Sequence, residues 1–518
     1  KALYGNPLKA LYGNPLKALY GNPLKALMKR YHLLLLTLLV LVLPQPGRTQ
    51  NVDPSPDSKP NILIILADDL HWRDLGITGN PDVYSPNIDQ LARDGMRLNG
   101  FFASSAVCSP LRHALYTGLY PVRSGAYPNH TMVYPETRSV FHHLKDLGYR
   151  VGLLGKTHIS PAVAFPFKNV SSRANEIDKA AAFINQDEQQ PWFMVFASNE
   201  PHAPWRSGPR ERYDADKLTL PSWLHDNQVT RNALADYYAE ISALDEQVGR
   251  LLKFIEEAGQ HSKTMVWFFS EQGSQFPYGG KWSLYDNGIR VAGFIRWPGH
   301  IPSDSSGDAL LQYIDVVPTL VEIAGGNPLA SDTGRAGAPD GKRGFDGRSF
   351  LPVLKGDRSV HRQYVFAQHT TVGVFGYREP YPSRAVRDER YKLIRNLASE
   401  NEFWINGIHD HAVYKSWQED ASNDPRLARR VEFLSHRPAL ELYDLKNDPF
   451  EQHNLVGQIE YRKIESRLGK ALDDWMQQQG DLGLETELKA KSRQPPSLEK
   501  TIELKRRTGN LTFNHGSE

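Results

Sequence analysis

The sequence predicts an α/β fold: a large, mostly parallel sheet sandwiched by helices, with a smaller C-terminal antiparallel sheet plus a helix. Three observations carry the prediction. Residues 61–67, 150–154, 192–197 and 264–270 are largely apolar runs, the signature of strands buried on both faces. Residues 86–94, 139–147, 174–185 and 231–258 carry helical patterning between them, and strands alternating with helices build a layered parallel sheet. A polar cluster follows each run directly: Asp68-Asp69, Gly155-Lys156, Ser198 to His202 and Glu271-Gln272. Ligands of such sheets gather at the carboxyl ends of strands, so the clusters are expected along one edge.

The chain has 518 residues, 40% hydrophobic and 23% charged, enough for one large domain and a smaller one. Its formal net charge of +2 provides no global field for nucleic acid, so any anion must be recognised locally. Residues 1–27 are three copies of Lys-Ala-Leu-Tyr-Gly-Asn-Pro-Leu and part of a fourth, a repeat tag or artefact. Met28, the basic pair Lys29-Arg30 and the short apolar run 33–43 make residues 28–50 a signal peptide and cleavage region. That run is short for a bilayer span. It predicts an exported protein, periplasmic or secreted (lysosomal in a eukaryote), without a stable membrane anchor; an uncleaved anchor is the competing reading. Residues 60–363 form the main domain. Residues 364–480 form an α+β subdomain, with strands at 364–368, 383–386, 391–396 and 441–445 and an amphipathic helix at 461–479. Residues 481–518 read as a charged C-terminal arm, extended or partly disordered.

Cys108 is the only cysteine, so it lacks a disulfide partner; a lone thiol is commonly a small buried hydrophobe. Asp68 and Asp69 repel each other unless a cation or proton lies between them, although a bare Asp-Asp also suits a solvated turn. Glu271 adds a carboxylate and Gln272 an amide carbonyl. These are hard oxygen donors without histidine or thiolate, a set that favours Ca²⁺ or Mg²⁺ over Zn²⁺. Lys156, His158, His202 and Lys281 are each ordinary surface residues when taken alone. Together they would neutralise an oxyanion and protonate a leaving alkoxide. His369, Arg384, Trp404 and residues 409–411 are candidates for a sugar pocket, with structural or solvated roles as the commoner alternative.

The run Cys108-Ser109-Pro110-Leu111-Arg112, followed by His113-Ala114-Leu115-Tyr116-Thr117-Gly118, resembles the signature of the type I sulfatases of the alkaline-phosphatase-like superfamily. Asn61 to Asp69, Gly148 to His158, Pro201-His202, Gly273 to Arg290 and Glu441 to Leu455 match the same family in order. Gly155 to Pro161 and Tyr381 to Leu397 are similar to its heparan N-sulfatase (sulfamidase) branch, which includes microbial polysaccharide sulfatases. The resemblance implies a sulfatase acting on a sulfated carbohydrate, algal such as ulvan or heparan-like. It implies oxidation of Cys108 to formylglycine by a formylglycine-generating or sulfatase-maturating enzyme. One Ca²⁺ would be held by Asp68, Asp69, Glu271, Gln272 and the modified Cys108. Arg112, Lys156 and His158 would orient the aldehyde hydrate, His202 would be the general acid and Lys281 would contact sulfate. The family usually shows Asp followed by Asn or His where Glu271-Gln272 stand. Two alternatives remain at this point: a phosphoester or phosphonate hydrolase of the same superfamily, and a catalytically silent glycan-binding relative.

Overall fold

The structure is a computed structural model that describes residues 59–335, 341 and 343–495. The repeat, the expected leader and residues 496–518 lie outside the described residues. The main part contains β1 (Asn61–Ala67), β2 (Met96–Leu98), β3 (Phe101–Phe102), β4 (Arg150–Gly155), β5 (Lys168–Ser171), β6 (Trp192–Ala197), β7 (Thr264–Ser270), β8 (Gly293–Arg296), β9 (Ser305–Gly307) and β10 (Leu311–Gln312). Eight of them form one sheet in the order β5-β4-β6-β1-β7-β8-β2-β9, and β3 pairs separately with β10. Pairing is parallel from β5 through β7, and β8 runs antiparallel to both β7 and β2.

Alternation along β1 explains why its sequence is apolar throughout. Ile62, Ile64 and Leu66 point into one core, and Leu63, Ile65 and Ala67 into the other. The first core contains the helices Cys108–Thr117, Val140–Asp146 and Val316–Ile323. The second contains Pro86–Arg93, Asp178–Ile184 and the long helix Gln228–Glu257. Asn227 caps that long helix, its side chain accepting from the Thr230 N–H.

A second sheet, β11 (Val365–His369), β12 (Ser383–Arg387), β13 (Tyr391–Asn396) and β14 (Leu440–Asp444), is antiparallel in sequential order. Leu468, Leu472 and Trp475 of the helix Arg462–Gln479 cover one face, against Val386, Leu393 and Leu442. Ala367, Ala385, Ile394 and Tyr443 pack from the other face on Phe102, Leu284 and Tyr285 of the main part. Among the described residues, no helix is long and apolar enough to cross a membrane.

The segment after Gly480 departs from expectation. Instead of an extended arm, residues 481–495 fold back as the helix Leu484–Leu488 and the turn Ala490–Arg493. The physical reason is specific pairing: Asp481 is buried against Arg384, and Glu487 accepts from Thr370 Oγ1 at 2.8 Å.

Candidate active site

Polar residues that follow β1, β4 and β6 line a cavity of about 800 Å³, and Gln272, after β7, reaches Cys108 in its wall. Asp68, Cys108, Lys156, His158, His202 and Lys281 line it. Cys108 opens the helix Cys108–Thr117, which the sequence reading did not anticipate as a helix, and is 5% exposed. Burial, reinforced by Glu271, pushes its thiol up to about 12. Gln272 Nε2 donates to Cys108 Sγ at 3.2 Å and to Asp69 Oδ1 at 2.9 Å, and the thiol lies 3.9 Å from Asp68 Oδ1.

Consecutive residues of a strand point to opposite sides, yet Asp68 and Asp69 both reach this site. Asp69 manages it by leaving the strand with φ +63°, a left-handed conformation that aspartate tolerates better than most residues. Lys156 Nζ meets Asp68 Oδ2 at 2.5 Å, and Lys281 Nζ meets Asp69 Oδ2 at 2.5 Å. Each lysine follows a glycine that the backbone requires. At Gly155 (φ +100°) a Cβ would lie 2.0 Å from Ala197 O, and at Gly280 (φ +107°) 2.1 Å from the Asn287 backbone. Burial opposes ionisation of Asp68, but Lys156 beside it holds the carboxyl well below the usual range.

Arg112 lies beneath the cavity, fully buried. Its Nε and Nη2 donate to the two Glu271 carboxylate oxygens at 2.8 and 3.0 Å, and its Nη1 to Lys156 O at 2.7 Å. The Glu271 carboxylate is therefore the counter-ion of Arg112. A separate set of donors, on Asp68, Asp69, Cys108 and His202, lies within 4.8 Å of one another and could hold a metal ion. Gln272 Oε1 is buried without a partner. Amide oxygen and nitrogen are interchangeable in placement. Turning this amide would aim its oxygen at Asp69, where a cation between the two oxygens makes the contact favourable. The donor set thus fits a divalent ion.

His202 sits at the mouth. Its Nδ1 donates to Ala203 O at 2.5 Å, while Nε2 is 3.0 Å from Lys281 Nζ and 3.6 Å from Asp69 Oδ2. Burial and the adjacent Lys281 lower its imidazole to about 4. His158 Nε2 is 2.9 Å from Nδ1 of His130, a cavity residue that carries no sequence signal.

Of the sugar-pocket candidates, none lines the cavity, and His369 and Arg384 lie elsewhere. Arg384 is buried in β12, paired with Asp481 and donating to His369 O at 3.2 Å. His369 is 1% exposed, and burial lowers it to about 3. Neither lines the cavity; both belong to the second sheet and the returning C-terminal segment.

Comparison with known proteins gives the family and the fold. The sulfatase family profile matches residues 60–169 and 165–326, and the C-terminal profile of N-sulphoglucosamine sulphohydrolase matches 275–412. An ulvan-active sulfatase of Formosa agariphila is 32% identical over 436 residues, covering 82% of this chain and 81% of that protein. The N-sulphoglucosamine sulphohydrolase of Homo sapiens is 25% identical over 462 residues, covering 80% and 89%. A protein solved in complex with its substrate D-glucosamine-2-N,6-O-disulfate shares the fold, with a TM-score of 0.62 at 20% identity over 82% of this chain and 99% of that one. The chain therefore belongs to the sulfatase family and is a sulfuric ester hydrolase of alkaline-phosphatase-like fold.

Proposed function

We propose that this enzyme removes sulfate from a sulfated carbohydrate, an algal polysaccharide such as ulvan or a heparan-like glycan. The observation that carries the reading is the meeting of Cys108, Asp68, Lys156 and Lys281 in one cavity wall, with Asp69 joined to them through Lys281. The kinship with an ulvan-active sulfatase and an N-sulphoglucosamine sulphohydrolase supports a carbohydrate substrate. Residues 60–363 would be the catalytic domain and 364–480 its subdomain. Export through the leader at 28–50 and oxidation of Cys108 by a maturation enzyme complete the proposal.

Oxidised to formylglycine and hydrated, residue 108 would supply one hydroxyl to take sulfate and a second to expel it. Asp68, Asp69 and the Gln272 carbonyl would hold Ca²⁺, a hard cation suited to oxygen donors and able to neutralise sulfate oxygens. The chain's own side chains do the rest. Lys156 and Lys281 exchange their aspartate contacts for sulfate oxygens and stabilise charge that develops there. Arg112, pinned at Nε and Nη2 by Glu271, fixes the base of the helix that starts at Cys108. His158 faces the same cavity and orients the reacting group. His202 is a neutral imidazole whose Nε2 accepts from Lys281. Once an anionic ester draws Lys281 away, its negative charge lets Nε2 take a proton from solvent, which it then passes to the leaving oxygen or nitrogen.

Sulfate release from defined ulvan and heparan oligosaccharides, with an aryl phosphate in parallel, tests the substrate class; turnover of phosphate alone would overturn it. Peptide mass spectrometry across Cys108 tests the nucleophile, since conversion of thiol to aldehyde lowers the mass by about 18 Da. An unmodified thiol would favour a silent glycan-binding protein.

A further inference from the structure

We propose that His130 is a positioning residue that orients His158, and that the returning segment 481–495 is a strap holding His130 in place. This rests on the reading of His158 as part of the sulfatase site. His130 and His158 have φ values of +51° and +49°, left-handed conformations that cost free energy in non-glycine residues and persist only where surroundings enforce them. The two strained residues meet: His158 Nε2 and His130 Nδ1 are 2.9 Å apart, and both line the cavity. Between two imidazole nitrogens at that distance one donates and the other accepts. The protonation of His130 Nδ1 therefore decides which nitrogen of His158 carries its proton.

The strap supplies the enforcement. Arg493 donates from Nε to Gly125 O and from Nη2 to Met132 O, each at 3.0 Å, so one guanidinium grips both ends of the loop that carries His130. Its plane lies 4.0 Å from the Tyr134 ring centroid. The residues flanking His130 are tied individually. Gln494 Nε2 donates to Asn129 O, and Thr131 Oγ1 donates to Arg493 O, both at 2.8 Å. From the opposite side the Val133 N–H donates to Ser160 O at 3.0 Å, tying the loop to the turn after His158. Ala490 anchors the strap in a small apolar cluster with Tyr127 and Val372. A loop tied at both ends and on both flanks of a single residue holds that residue's direction, which a positioning role requires.

Three variants of the full-length enzyme test the inference. His130→Leu removes the ring contact; His130→Asn keeps a short polar group in a residue that accepts the left-handed backbone; Arg493→Ala cuts the strap's grip. The expected result for His130→Leu is a fall in kcat on a sugar sulfate of about tenfold, with KM changed less than about twofold. Most of the loss should return in His130→Asn, and Arg493→Ala should lose kcat in the same sense but less. Imidazole nitrogen NMR should show one His158 tautomer in the wild type and a mixture in His130→Leu. An unchanged His158 tautomer in His130→Leu would overturn the proposal whatever the enzyme's activity. So would equal losses in the Leu and Asn variants, which mark a merely structural role. A wild type inactive on every sulfate ester would instead count against the sulfatase reading, leaving the NMR result to decide the orientation of His158.

Discussion

Replacing Glu271 by glutamine separates two roles open to this side chain, counter-ion of Arg112 and calcium ligand. As a counter-ion, Glu271 accepts two hydrogen bonds from Arg112, at 2.8 and 3.0 Å, and both side chains are wholly buried. Removing one member of a buried ion pair costs about 3–5 kcal/mol, because the remaining charge is left without compensation. Glutamine retains one acceptor oxygen and Asp68 stands 3.9 Å from the guanidinium, so the lower end, about 3 kcal/mol, is the expected loss. As a direct calcium ligand, Glu271 would contribute only when the ion is bound. Calcium at a hundred times its dissociation constant adds about 2.7 kcal/mol, and only that increment would disappear. Denaturant unfolding of wild type and Glu271→Gln, in chelator and again in saturating Ca²⁺, distinguishes the roles. The counter-ion role predicts the large loss already in chelator. Equal stability in chelator, with the calcium increment abolished, would refute the counter-ion argument.

Three further predictions follow from the site and its surroundings. His202→Ala should reduce turnover of a sugar sulfate by about 10²–10⁴-fold, and that of an aryl sulfate with a good leaving group far less; equal losses would remove the general-acid role. Chelation should abolish sulfate release and Ca²⁺ should restore it better than Zn²⁺, with restoration by Zn²⁺ alone contradicting the oxygen donor set. Burial pushes the Glu240 carboxyl up from 4.5 to about 7, against hydrogen bonds from the Arg206 and Ser207 N–H groups. Its folded value lies above its unfolded one, so its contribution to stability is full below pH 4.5 and is lost as pH rises through about 7. The melting temperature of Glu240→Gln should accordingly fall less than that of wild type between those two values; identical slopes would contradict this.

The strands most legible in the sequence were those buried on both faces. The apolar runs ending at Ala67, Leu154, Ala197 and Ser270 agree with β1, β4, β6 and β7 to within one residue, because burial on two sides forbids polar interruptions. β2, β8 and β9 escaped notice since three- and four-residue strands at the sheet's far side have too little length to establish a period. The residues at strand ends were readable for the same reason as the strands. Glu271 illustrates the limit: its place was legible, but its partner Arg112 lies 159 residues away, and nothing local reveals that pair. Arg384 failed in the same way. Its composition suits a glycan subsite, and only the fold reveals Asp481, 97 residues on, as the anion it serves. His130 left no trace because its function lies in a direction imposed by a distant segment.

The strap also has a consequence for the order in which the enzyme comes into being. Arg493 is translated 361 residues after Met132, an interval of about 20–70 s at ribosomal speeds of about 5–20 residues per second. The parallel core can assemble during that interval, while the pocket wall still lacks its clasp. A nascent polypeptide therefore holds an unfinished pocket around Cys108 until the stretch around Arg493 emerges and closes it.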